Sequence, residues 1–533
     1  MAASAFLYAH KVWVHSSNSE ILYQISSNVR ATHSHFRSPR NDDSFDASIS
    51  QASIHQPLTN STGDYCVAME PSSNNSYDLI VVGSGPAGQK AAICAAKLRK
   101  KVAVIERKRT IGGVCVHTGT IPSKTFREAI LYLSGLRQRA FYGRGYALKE
   151  NICMPDLIFR SDAVMAREIE VIKAQLRRNR VTVFEGNARF LDPHTMEVAS
   201  DDGFTMLRAN NFVIACGTRP AHDAPIPIDG KRIFDSDQVH DLQELPRELI
   251  VVGAGIIGLE YASMFAALGV KVTLLDQRPT LLDFADREIV ESLCFQLRQL
   301  GTVFRLGEKV VSVGFDEQRD RVFASLESGK KVHAAGLLYA VGRQANSDQL
   351  NLEAVALVPD GRGKLIVDEN FQTAIPHIYA AGDVIGFPAL ASTSMEQGRL
   401  ASCHIFGVSG NIPPNLIPYG VYTIPEISMV GATEEQLTRD KIGYETGIAR
   451  YAELAKGQML GDDQGFLKLI FDPDSLKLLG VHIIGDRASE IVHIGQAVLA
   501  LGGTIEYFRD TVFNYPTLAE AFKVAALDGL NKL

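Results

Sequence analysis

Along residues 77–97 an unbroken apolar run, Leu79-Ile80-Val81-Val82, gives way at Gly83 to a glycine-rich turn and then to an alanine-rich stretch of helical character. An apolar run without polar alternation marks a strand covered on both faces, as in a parallel sheet flanked by helices. A second strand is predicted over 101–106, ending in Glu106. The same succession returns at 248–260, where Leu249-Ile250-Val251-Val252 meets Gly253 and a helix, and the next strand, 270–276, ends in Asp276. Two strand–turn–helix–strand units predict an α/β chain with doubly wound parallel sheets. Between them, helices are expected over 123–136 and 155–179, and strands over 181–190 and 211–218. After about Pro414 the pattern changes to alternating strands, 419–428, 465–471 and 478–484, and then to helices, an α+β arrangement.

The glycines carry chemistry as well as punctuation. Gly83, Gly85 and Gly88 stand as G-x-G-x-x-G, and so do Gly253, Gly255 and Gly258. In such a unit the first glycine makes the tight turn and the second lets the backbone approach a pyrophosphate. The third lets helix and strand pack closely, with the phosphates on the helix N-terminus. Glu106 and Asp276 stand at the strand ends where an acid holds a ribose hydroxyl. Two Rossmann-like dinucleotide-binding domains are expected.

About thirty residues beyond the first fingerprint lies Gly112-Gly113-Val114-Cys115-Val116-His117-Thr118-Gly119-Thr120-Ile121-Pro122-Ser123-Lys124. With both fingerprints it resembles the two-dinucleotide flavoproteins of the dihydrolipoamide dehydrogenase, glutathione reductase and mercuric reductase family. Those enzymes carry G-G-x-C-x-x-x-x-C-I-P-S-K, whose two cysteines form a redox disulfide beside the flavin. Here Cys115 fills the first position and Thr120 the second. One thiol cannot make that bond. The family's thiol base, a His in H-P-T-L-S-E, is replaced too: the run here is Asn514-Tyr515-Pro516-Thr517-Leu518-Ala519-Glu520. A phenol, with a reference pKa near ~10, is a poor acceptor for a thiol proton at neutral pH. Glu520, left without its His, reads as a structural acid, and no cysteine follows Cys403.

The branch with these losses is that of the soluble pyridine nucleotide transhydrogenases, and the resemblance runs from Tyr77 to Leu533. It implies FAD in the first domain and a nicotinamide nucleotide in the second. Hydride would pass between NADPH and NAD⁺ through one nicotinamide site, one nucleotide after the other. It implies FAD contacts at Gly83, Gly85, Gly88, Glu106, Gly112, Gly113, Cys115, Lys124, Ala188, Thr218, Gly382 and Asp383. For NAD(P) it implies Gly253, Gly255, Gly258, Glu260, Asp276, Arg278 and Gly342. Lys124, paired with Glu260, would put a cation beside the flavin and stabilise its reduced, negative form. Cys115 reads either as a small residue packed by the flavin or as a thiolate activated at a helix N-terminus. Asp276 suits the 2′-hydroxyl of NAD(H) and Arg278 the 2′-phosphate of NADP(H), so both nucleotides are expected as substrates. An NAD(P)H oxidase or diaphorase, a dihydrolipoamide-dehydrogenase-like flavoprotein without the disulfide, and a flavin-binding scaffold are the alternatives.

Composition narrows the partners. The 533 residues are 46% hydrophobic, and Lys+Arg 54 stand against Asp+Glu 60. A formal net charge of -6 gives no reason to expect nucleic acid or an anionic membrane. No apolar run approaches the roughly 18 residues of a membrane span. The cysteines at 66, 94, 115, 153, 216, 294 and 403 show no metal spacing, so no metal is expected, and they suit a reduced compartment. Residues 1–76, rich in Ser, Asn and His, read as a disordered extension, either a transit peptide or a leader upstream of a start at Met69. A cytoplasmic enzyme is expected, with an organelle as the alternative. The expected domains are FAD-binding 77–223 with 344–413, NAD(P)-binding 224–343, and 414–533 for dimerisation, whose end the resemblance carries to the partner's flavin in a homodimer.

Overall fold

A computed structural model describes residues 75–533, apart from 144, 223–225, 411–412 and 414–415. The expected disorder up to residue 74 lies outside the described residues. Ser76 already belongs to the first strand, Ser76–Val82.

That strand is the centre of a mixed seven-stranded sheet. On one side it pairs in parallel with Val102–Glu106 (Leu79↔Val102, Val82↔Ile105), which in turn pairs with Thr182–Glu185. Leu79, Ile80 and Val81 have no exposed surface. The apolar run is therefore covered on both faces, by the helix Pro86–Lys97 on one and a cluster around Phe190 and Phe212 on the other. The strand Gly203–Ile214 serves two partners. Its second half runs parallel to Ser76–Val82, and its first half runs antiparallel to Thr195–Ser200. Only the second half was expected as strand, because the first half is polar and half-exposed.

The single strand expected over 181–190 is two. Gly186, at φ +147°, breaks it, and a Cβ there would stand 2.5 Å from the Ala199 carbonyl oxygen. Asn187–Asp192 then turns away to pair with Thr195–Ser200. The expected helices are found as Thr120–Leu133 and Met154–Arg178.

The second unit is a five-stranded parallel sheet ordered Val303–Leu306, Lys271–Asp276, Glu248–Val252, Gly336–Tyr339, Ile233–Asp235, joined by a three-stranded antiparallel ribbon. The helix after its glycine-rich turn, Ile256–Ala267, is apolar on nearly every side, and Glu260 is its one charged residue. Chain enters and leaves this unit side by side. Thr218–Pro220 and Arg343–Ala345 form a two-stranded antiparallel pair, with Thr218 opposite Ala345.

The third sheet is antiparallel, ordered Tyr419–Val421, Ile427–Gly431, Leu478–Ile484, Phe466–Phe471, Glu445–Arg450, and is backed by the helices Ala488–Ala500 and Glu520–Leu530. The expected strand over 419–428 is a hairpin instead. Pro425, after a cis peptide bond, lacks the N–H a continuing strand needs, and Val421 pairs back on Ile427. Lys468, 1% exposed, fastens this sheet to the second unit. Its ammonium contacts both carboxylate oxygens of Asp286, the N-cap of helix Arg287–Gln299, at 3.0 and 3.1 Å, and also Glu288 and Glu434. No helix among the described residues is long and apolar enough to cross a membrane.

Candidate functional site

The two fingerprints build the same local geometry. In each, a Cβ on the third glycine, Gly88 or Gly258, would lie 1.9 Å from the carbonyl oxygen of the first, so helix and strand touch through backbone. The middle glycines, Gly85 and Gly255, cap their helices without any side-chain hydrogen bond and have open space around them. Each helix therefore presents unsatisfied N–H groups to an anion.

The strand-end acids brace these turns. Glu106 accepts from the Ser84 amide at 3.0 Å, the Ser84 hydroxyl at 2.6 Å and the Lys108 amide at 3.0 Å. Ser84 in turn receives the Gly112 amide at 2.9 Å, which ties the G-G-x-C stretch to the phosphate turn. In the second unit Asp276 accepts from the Ala254 amide at 2.6 Å.

Both turns open on one cavity of about 740 Å³. Of the expected residues, Gly83, Gly85, Glu106, Gly113, Cys115, Lys124, Ala188, Thr218, Gly382 and Asp383 line it, with Gly255, Glu260 and Gly342 from the second unit side. Gly88, Gly112, Gly253 and Gly258 stay behind it as turn and packing residues, and Asp276 and Arg278 lie outside its lining.

Three segments meet at Glu260. Its Oε2 accepts from the Lys124 ammonium at 2.6 Å, and its Oε1 from the Tyr422 amide at 2.9 Å. The Lys124 ammonium also lies 5.0 Å from the Tyr422 ring centroid. One turn along the helix, Ser263 donates to the Glu260 carbonyl at 2.7 Å and accepts from the Ile424 amide at 3.0 Å. The lysine is thus fixed over the cavity by a buried carboxylate and an aromatic face.

Cys115 lies on the five-residue helix Gly113–His117, bonded to the Thr120 side chain. Burial pushes its thiol up, outweighing the Thr120 hydrogen bond and the Lys124 charge. An activated thiolate needs the opposite shift, and the direction here is that of a packed thiol.

Across the cavity, Thr218 donates to Asp383 at 3.3 Å and accepts from Arg343 Nε at 2.7 Å, while Arg343 Nη1 reaches Asp237 at 3.3 Å. Gln397 accepts the Gly382 amide at 2.9 Å.

Asp276 and Arg278, expected to read the 2′-hydroxyl and the 2′-phosphate, stand hydrogen-bonded to each other. Arg278 donates to Asp276 Oδ1 from Nε at 3.0 Å and from its amide at 2.8 Å, and to Oδ2 from Nη2 at 2.8 Å. Burial alone would raise the Asp276 carboxyl, but the Arg278 guanidinium and the backbone donors hold it below the ordinary value. The two groups neutralise each other at the strand end.

Two family profiles match the chain: "Pyridine nucleotide-disulphide oxidoreductase" over residues 77–398, and the dimerisation domain of the same family over 417–526. The chain belongs to the pyridine nucleotide-disulphide oxidoreductase family. Among relatives in this family, a Mycobacterium bovis protein named soluble pyridine nucleotide transhydrogenase is 53% identical over 459 residues, covering 86% of this chain and 98% of its own. One of the same name from Klebsiella pneumoniae is 45% identical over 465 residues, with 86% and 98% covered. Solved family structures include LpdA from Mycobacterium tuberculosis, with TM-score 0.78, 28% identity, and 84% of this chain and 99% of that one covered. The HOCl-induced flavoprotein disulfide reductase RclA from Escherichia coli matches with TM-score 0.74 and 27% identity over 85% of this chain and 99% of its own.

Ser84, Arg343 and Tyr422 also line the cavity, and Gln397 holds the Gly382 amide behind it, although none was expected from the sequence. Ser84 and Arg343 sit beside residues that were. Gln397 and Tyr422 gave no local signal. Tyr515, 74% exposed, lies outside the cavity lining of its own chain.

Proposed function

We propose that the chain is an FAD-dependent transhydrogenase that moves hydride between NADPH and NAD⁺, one nucleotide at a time through a single nicotinamide site. The observation that carries this reading is one cavity shared by both glycine-rich turns, with the Lys124–Glu260 pair in its wall and Thr120 where dithiol chemistry needs a second cysteine. The names of relatives at 45% and 53% identity support it.

The residues present fit FAD. The first helix offers uncapped N–H groups at Gly85 beside open space, and the buried Thr118 hydroxyl in the cavity wall has no hydrogen-bond partner among the described residues. FAD, when bound, takes hydride from one nicotinamide and gives it to another. Gly85 and the start of helix Pro86–Lys97 would hold its pyrophosphate, Glu106 a ribose hydroxyl, and Asp383 with Thr218 its polar chain. Lys124 supplies the fixed positive charge that favours the reduced form, and Glu260 holds that charge in place without needing to move a proton. Gly255 and the start of helix Ile256–Ala267 take the nicotinamide nucleotide's pyrophosphate. Asp276 serves the 2′-hydroxyl of NAD(H), and Arg278, released from Asp276, the phosphate of NADP(H). FAD-binding residues 77–223 with 344–413, NAD(P)-binding residues 224–343 and a self-associating segment 414–533, in a homodimer, complete the reading.

Anaerobic stopped-flow of the purified yellow protein tests it. NADPH should bleach the flavin absorbance, and NAD⁺ should restore it with NADH formed in equal amount. Failure of NADPH to bleach, or rapid NADH-dependent oxygen uptake in place of exchange, would overturn it.

A further inference from the structure

Two thiols that the hydride reaction does not use face each other behind the flavin-side turn. Cys94, on helix Pro86–Lys97, and Cys403, on helix Ala391–Ile405, stand with their sulfurs 3.7 Å apart. The contact is built in by the helix packing. A Cβ on Gly398 would lie 2.0 Å from the Ala87 carbonyl oxygen, so the helices meet at backbone distance, and the Ser402 hydroxyl donates to the Ala91 carbonyl at 2.7 Å. Cys94 is half-buried and Cys403 is 4% exposed, with Arg399 donating to the Cys403 sulfur at 3.6 Å. Closing 3.7 Å to a bond of about 2.05 Å needs side-chain rotation between helices already fixed at close range.

We propose that Cys94 and Cys403 form a reversible disulfide under peroxide or a thiol-specific oxidant, and that this bond braces the two helices that hold the flavin. With a peroxide, the Cys94 sulfur takes the terminal oxygen and one water or alcohol leaves. The Cys403 sulfur then displaces that oxygen as a second water, which carries away the Cys403 proton. Two thiols lose two electrons and two protons, and the peroxide gains them. Burial and the neighbouring Cys403 push the Cys94 thiol up to about 11, so its attack on the oxidant runs through a minor thiolate fraction and quickens as pH rises.

The bracing follows from what each helix carries. The N-terminus of Pro86–Lys97 faces the phosphate turn, and Gln397 on Ala391–Ile405 fixes the Gly382 amide next to Asp383. A covalent tie between them restrains both ends of the flavin cradle at once. The bracing rests on the flavin reading above; the bond does not.

The test treats the full-length protein with diamide, in a Cys153→Ser background that removes the exposed thiol among the described residues. Unreacted thiols are then alkylated, the protein is digested, and flavin release in mild urea is timed. The expected result is a peptide pair joined through residues 94 and 403, two hydrogen masses lighter than the reduced pair, reversed by dithiothreitol and missing in Cys94→Ser and in Cys403→Ser. Flavin release should slow severalfold on oxidation, and only where both cysteines are present. Alkylation of both residues after oxidation would overturn the disulfide. A joined pair with unchanged flavin release would overturn the bracing alone. A protein without bound flavin would count against the cofactor reading and leave the cross-link result standing.

Discussion

Glu260 and Lys124, 136 positions apart in the chain, share a 2.6 Å ion pair in which the carboxylate is 5% exposed and the ammonium 26%. Because the other carboxylate oxygen holds the Tyr422 amide, the pair couples three segments of different sequence origin. Glu260→Gln keeps the shape and removes the charge. It should lower the rate of flavin reduction by NADPH by about tenfold to a hundredfold, equivalent to roughly 1.4–2.7 kcal/mol of lost stabilisation. Rapid-mixing absorbance traces would show this, and an unchanged rate would remove Lys124 from the proposed role.

On the proposed function, nucleotide choice turns on the Asp276–Arg278 pair. Arg278→Ala should raise the KM for NADPH about tenfold, the loss of one charge-assisted hydrogen bond of roughly 1.5 kcal/mol, while leaving the KM for NADH nearly unchanged. Asp276→Asn should do the reverse, weakening NADH more than NADPH. Equal effects on both nucleotides would mean that Arg278 serves only to hold Asp276.

Cys115→Ala should retain transhydrogenation within about threefold, since hydride exchange between nicotinamide and flavin asks no nucleophile of this sulfur. Steady-state rates from pH 6 to 9 should show no step assignable to it. A loss beyond tenfold, rescued by serine or not, would require a chemical task for this sulfur.

Lys468 offers a stability prediction. Burial alone would lower its ammonium, but the hydrogen bonds and charges of Glu434 and Asp286 outweigh that and raise it above the ordinary lysine value. The folded state therefore binds this proton more tightly than the unfolded one. Its contribution is fully present below the unfolded value of about 10.4 and is lost as pH rises toward the folded one. Lys468→Met should destabilise by about 3–5 kcal/mol at pH 7, because Asp286 is left buried without its partner. Denaturant melts at pH 7 and near pH 11 would show the gap between variant and parent narrowing at the higher pH.

What was legible in the sequence was local. Gly83 and Gly253 announce their turns because the residues that form each turn are contiguous, and Asp276 follows at the spacing a βαβ unit imposes. The Lys124–Glu260 contact has no local signature and entered only through family resemblance. Gln397, on a helix, and Tyr422, just past the strand Tyr419–Val421, are brought to the cavity by tertiary packing alone, from segments whose own patterns say nothing of a ligand. Two expected strands are broken by single residues, Gly186 and Pro425, inside apolar runs that continue across them. The polar first half of Gly203–Ile214 is held by strand pairing rather than by hydrophobic pattern, so periodicity could not reveal it.

The paired strands Thr218–Pro220 and Arg343–Ala345 put the two ends of the intervening segment at adjacent positions, Thr218 facing Ala345. Topologically that segment is a cassette plugged into a host fold through a two-pin socket. On the proposed function, exchanging the cassette would change which nucleotide is read, while the host sheet and its glycine turn keep their registers.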